Sequence, residues 1–84
     1  MAEILIYTKD NCQQCKATKK RFDNKGVSYE NIPIDGDNNL IGLLMEQGHT
    51  TAPVVSVLSD TGELLDTWAG FQPSKIDRYA DGSH

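Results

Sequence analysis

The chain has 84 residues, 38% of them hydrophobic, with a formal net charge of −4. That acidic balance argues against general nucleic-acid binding, and no apolar run approaches the ~18 residues that a membrane span needs. A chain of this size buries only about 60–65% of its unfolded surface, so the expectation is one compact domain over residues 1–84 with few long loops.

The N-terminus lacks a signal-peptide pattern, which makes the cytoplasm the expected setting. In that reducing compartment a cysteine pair is more often catalytic than structural. Charge is unevenly spread. Six basic residues (Lys9, Lys16, Lys19, Lys20, Arg21 and Lys25) and two acidic ones (Asp10 and Asp23) lie between residues 9 and 25, giving +4 there and −8 elsewhere. This basic stretch is either a solvated helix face or an electropositive surface that lowers a neighbouring thiol pKa and steers an acidic partner segment.

In chain order, the apolar run Ile4 to Thr8 reads as a strand covered on both faces. Lys9-Asp10-Asn11 is a polar turn in which Asp10 or Asn11 could cap the next helix. Cys12-Gln13-Gln14-Cys15 follows, and Lys16 to Lys25 reads as a helix with Cys15, Thr18 and Phe22 on its inward stripe. Gly26 is placed to terminate it. Val27 to Pro33 alternates as a second strand, kept to a sheet edge by Pro33, and the β-α-β unit implies parallel pairing. Asp35 to Asn39 is a turn and capping cluster, after which Leu40 to Gln47 reads as a helix ending at Gly48. Leu40, Ile41, Leu44 and Met45 form its apolar face, with Met45 expected to fill core. His49 reads as a loop residue. Pro53 must open the strand Val54 to Leu58, and a cis Ala52–Pro53 bond would turn the Ala52 backbone outward to pair with an incoming peptide. A turn at 59–62 joins this strand to Glu63 to Ala69 in a hairpin. Pro73 starts a last helix to Ala80, with Ile76, Tyr79 and Ala80 as its apolar face, and Asp81 to His84 should fray.

Two cysteines three residues apart at a strand-to-helix junction suit thiol–disulfide exchange. The helix N-terminus offers unpaired N–H groups and a partial positive charge, both of which favour a thiolate. Cys12 is placed to attack and Cys15 to resolve, with Lys9 the best candidate for direct influence on Cys12. A purely structural bridge would close too short a loop to stabilise much. For zinc, only His49 and His84 remain to complete four ligands, and no second paired motif is present, so no metal is expected.

The order β-α-β-α-β-β-α, with C-x-x-C after the first strand and a proline opening the third, resembles the thioredoxin/glutaredoxin fold, an α/β four-stranded mixed sheet flanked by helices. Within it the chain is most similar to the NrdH-redoxin family. The resemblance is carried by Tyr7-Thr8-Lys9, by Cys12-Gln13-Gln14-Cys15 with Ala17-Thr18-Lys19, by Ala52-Pro53-Val54-Val55, and above all by Trp68-Ala69-Gly70-Phe71-Gln72-Pro73. It implies a dithiol–disulfide oxidoreductase that passes electrons from NADPH through thioredoxin reductase to class Ib ribonucleotide reductase, contacting its large subunit. The Cys12–Cys15 dithiol is the redox group, with no bound cofactor, and the protein is expected to be a monomer. Ordinary glutaredoxins bind glutathione partly through a Gly-Gly and acidic residues after the fourth strand. Here that segment is Ala69 to Pro73, with no acidic residue before Asp77.

Partner-binding candidates are Lys9, Gln13, Gln14, Ala52, Pro53, Trp68, Gly70 and Phe71. Trp68 and Phe71 could equally be aromatic packing of the last helix. The chain departs from the family at Gln13, where an apolar residue is common, and in a longer hairpin between Val55 and Trp68. Two other functions compete. One is a glutathione-dependent glutaredoxin. The other is a non-catalytic binding module that holds an acidic partner with Phe71 and the basic helix, and whose binding would survive loss of both cysteines.

Overall fold

A computed structural model describes residues 3–48 and 52–80. His49 and Asp81 to His84 lie outside the described residues. The elements are β1 (Glu3–Thr8), α1 (Gln13–Asn24), β2 (Glu30–Pro33), α2 (Asn38–Glu46), β3 (Val54–Leu58), β4 (Leu64–Ala69) and α3 (Pro73–Ala80). They form one four-stranded mixed sheet in the order β2-β1-β3-β4. β1 pairs with β2 in parallel, as one intervening helix requires, and with β3 antiparallel; β3 and β4 form the hairpin. This is the thioredoxin/glutaredoxin fold. β2, which ends in Pro33, occupies an edge.

Strand alternation sorts the two faces of the sheet. Ile4 and Ile6 of β1 and Val55 and Val57 of β3 project to one side, where they bury against Phe22 of α1, Trp68 of β4 and Ile76 of α3. On the other side Leu5, Tyr7, Ser56 and Leu58 line a groove with Leu40, Leu43 and Leu44 of α2. α1 and α3 are also tied directly. Arg21 makes a bidentate pair with Asp77 at 2.8 and 2.7 Å, and the guanidinium holds that carboxyl below its ordinary range.

The structure differs from the sequence reading at two element starts and at one core residue. α1 begins at Gln13 rather than Lys16, and its N-cap is Cys12, not Asp10 or Asn11. Asn11 instead takes a left-handed φ of +57°, which asparagine tolerates better than most residues. β2 begins at Glu30 rather than Val27, because Val27 belongs to the end of α1. Its N–H bonds to Phe22 C=O and the Gly26 N–H to Asp23 C=O, a Schellman closure with Gly26 at φ +71°. Met45 is not core. The inward direction of α2 centres on Leu44, and Met45, one residue on and so ~100° around the helix, is 59% exposed.

β4 and α3 are joined through Asp66, whose carboxylate accepts from Tyr79 Oη at 2.9 Å, from Lys75 Nζ at 3.3 Å and from the Thr67 N–H at 2.8 Å. Partial burial pushes this carboxyl upward, but the hydrogen bonds from Tyr79, Lys75 and Thr67 together outweigh it. The net shift is below the ordinary value of 3.8. A depressed folded pKa contributes stability above the unfolded value that is lost as pH falls through the folded one. Asp66→Asn should therefore cost about 1 kcal/mol at neutral pH, and the gap from the parent should narrow below about pH 4. Urea denaturation of both proteins at pH 7 and pH 3 checks this.

Candidate active site

β1 delivers the chain to the C-x-x-C segment, and three anchors hold it there. The side chain of Asp35, in the β2–α2 loop, accepts the Asp10 N–H. The Ile34 N–H bonds to Thr8 C=O at 2.8 Å. Cys12 then caps α1 with its own sulfur, which accepts the Cys15 N–H at 3.1 Å. The two cysteines form a disulfide with Cα atoms 5.2 Å apart. They differ in access: Cys12 is 9% exposed and Cys15 2%.

Ala52 forms one buried cluster with the two cysteines. The Ala52–Pro53 bond is cis, and among the described residues the Ala52 N–H and C=O carry no hydrogen bond. Pro53 is fully buried and its C=O accepts the Gly70 N–H at 2.8 Å. The next amide, Phe71 N–H, donates to Gln14 Oε1 at 3.0 Å. Cys12, Gln14, Ala52, Pro53, Gly70 and Phe71 thus converge on one rim, contributed by α1, the start of β3 and the β4–α3 turn.

Other expected residues fall differently. Phe71 is 37% exposed. Trp68 is only 3% exposed, with its ring stacked on Tyr79 at 5.9 Å and Lys75 Nζ 5.4 Å from its centroid. It faces the α1–α3 core because it pairs with Val55 on that side of the sheet, so the partner-surface alternative is corrected to packing. Gln13 is exposed beside Cys12. Lys9 is exposed and makes no ion pair among the described residues. Within the same limit, no group of three or more His, Cys, Asp or Glu residues is placed to hold a metal. Among the described residues, no helix is long and apolar enough to cross a membrane. Sequence reasoning missed the Gln14–Phe71 and Asp35–Asp10 bonds, because each joins segments far apart in the chain.

Comparison with known proteins agrees with this geometry. The glutaredoxin family model matches residues 4–60. The glutaredoxin-like protein NrdH of Escherichia coli K12 is 37% identical over 81 residues, covering 96% of this chain and 93% of that protein. The chain belongs to the glutaredoxin family. Within it, this is an NrdH-type glutaredoxin-like redoxin, a thiol–disulfide oxidoreductase whose C-x-x-C pair is Cys12–Cys15. NrdH of Lactococcus lactis IL1403 is 30% identical over 92% of this chain and 99% of its own length. The solved NrdH-redoxin of E. coli, described as having a thioredoxin-like activity profile, superposes with a TM-score of 0.77 at 37% identity. That match spans 90% of this chain and 92% of that one.

Proposed function

We propose that this redoxin reduces protein disulfides in the cytoplasm as a monomer, drawing electrons from NADPH through thioredoxin reductase. The partner it serves is class Ib ribonucleotide reductase, engaged at the large subunit. The observation that carries the mechanism is the asymmetry of the two sulfurs: Cys12 is the more open and receives a helix-terminal N–H, while Cys15 lies behind it. A thiolate at Cys12 keeps that N–H bond and faces the positive end of α1.

In the reduced protein, the Cys12 thiolate attacks one sulfur of the partner disulfide. A Cys12–partner S–S bond forms, the partner S–S bond breaks, and the other partner sulfur leaves as thiolate. Cys15, after losing its proton, attacks the Cys12 sulfur and expels the second partner thiolate. Two electrons have then passed to the partner, and Cys12–Cys15 is a disulfide again. Pro53 shapes the groove and the Ala52 backbone pairs with the partner strand, while Lys9, Gln13, Gly70 and Phe71 form its rim.

A thioredoxin-like activity profile, as described for the E. coli NrdH-redoxin, supports thioredoxin reductase as the electron source. So does the segment Ala69 to Pro73, which has no acidic side chain for glutathione. The test is NADPH oxidation coupled to disulfide reduction in two parallel systems. Turnover should occur with thioredoxin reductase and not with glutathione plus glutathione reductase. Turnover mainly in the second system would make the protein a glutathione-dependent glutaredoxin.

A further inference from the structure

The β4–α3 turn is held at two successive amides. The Gly70 N–H is taken by the cis-proline strand through Pro53 C=O, and the Phe71 N–H by the C-x-x-C helix through Gln14 Oε1. The second bond spans 57 residues and joins the reactive helix to the exposed aromatic of the rim. Its acceptor is well anchored. Thr18, fully buried in the inward stripe of α1, donates its hydroxyl to Gln14 C=O at 2.8 Å and so fixes the backbone from which the amide reaches. Gly70 makes room for it: a Cβ there would stand 3.2 Å from Gln14 Oε1, and the φ of +82° suits glycine.

We infer that Gln14 is a positioning residue, a latch that holds the Phe71 turn in register with Cys12 so that protein disulfides are favoured over small ones. This rests on the proposed reading of Phe71 as a docking contact. Gln14 acts through the Phe71 amide rather than on the reacting sulfurs. A protein disulfide must engage the Phe71 rim and reach Cys12 in one fixed geometry, whereas a small disulfide needs only Cys12. Release of the latch spreads Phe71 over more orientations and raises the ordering cost of docking.

The experiment uses the intact, fully reduced chain in single turnover. Insulin serves as the protein disulfide and bis(2-hydroxyethyl) disulfide as the small neutral one. Each turnover oxidises the two cysteine thiols and reduces one substrate disulfide, so no further reductant is needed. Gln14→Ala should slow the insulin reaction about three- to tenfold more than it slows the small disulfide, the worth of one hydrogen bond. Hydrogen exchange at the Phe71 amide should accelerate in the same variant. Gln14→Glu keeps an acceptor oxygen at the same reach and should restore that protection. Equal slowing of both substrates, or unchanged Phe71 exchange in Gln14→Ala, would overturn the latch. Phe71→Ala separates the two readings. If it leaves the insulin rate unchanged, the docking role fails and the latch loses its purpose; if it slows insulin while Gln14→Ala does not, the latch alone is wrong.

Discussion

Cys12→Ser should bring disulfide reductase turnover down to the uncatalysed background, while Cys15→Ser should complete the first exchange and stop there. The two outcomes differ because the two sulfurs do different work. A serine hydroxyl at position 12 is neither ionised at neutral pH nor able to form an S–S bond, so the first step has no substitute. Cys15 is not a substitute nucleophile either, since it is 2% exposed and sits behind Cys12 on the first turn of α1. With Cys15 replaced, the thiolate still forms and still attacks. The mixed disulfide then has no internal thiol to resolve it, and a covalent complex accumulates with the first substrate met. Steady-state turnover with a protein disulfide separates the variants from the parent, and non-reducing electrophoresis separates them from each other.

Phe22→Ala should produce the other large effect, on stability rather than chemistry. Phe22 is fully buried between α1, the sheet and α3, with its ring 6.0 Å from Tyr29. Removing a buried phenyl ring costs about 3–5 kcal/mol through lost transfer energy and the cavity left behind. A domain of this size has roughly 5–15 kcal/mol in total and is expected toward the lower end, so the loss consumes much of the margin. Urea unfolding followed by Trp68, the single tryptophan, should show a large fall in midpoint with little change in slope. Met45→Ala is the matched comparison. That side chain is 59% exposed, so the same measurement should move by no more than about 0.5 kcal/mol.

Much of this was legible in the sequence because it is written locally. The apolar run of β1, the stripe Cys15, Thr18 and Phe22, the left-handed stop at Gly26 and the proline that opens β3 each depend on neighbours within a turn or a strand. The element order followed from those signals, and the placement of Cys12 at a helix start followed from the order. Other features depend on contacts that no window of sequence contains. Met45 sits in an apolar pattern, but which way α2 faces is decided by the sheet beneath it. Trp68 and Phe71 are three residues apart in one motif, yet one turns into the core and the other outward, because Trp68 lies on a paired strand and Phe71 beyond its end. Asp35 read as one member of a capping cluster. Asp37 does that work, with its carboxylate accepting the Leu40 N–H at 3.0 Å, and Asp35 reaches across to the turn before Cys12.

The most direct test of the central claim is peptide mapping of the adduct trapped by Cys15→Ser after exposure to a single protein disulfide. The account predicts one covalent adduct per chain, carried on Cys12 and released by dithiothreitol. An intact Cys12 thiol, with no adduct formed under conditions where the parent turns over, would contradict it and place the attacking sulfur at Cys15.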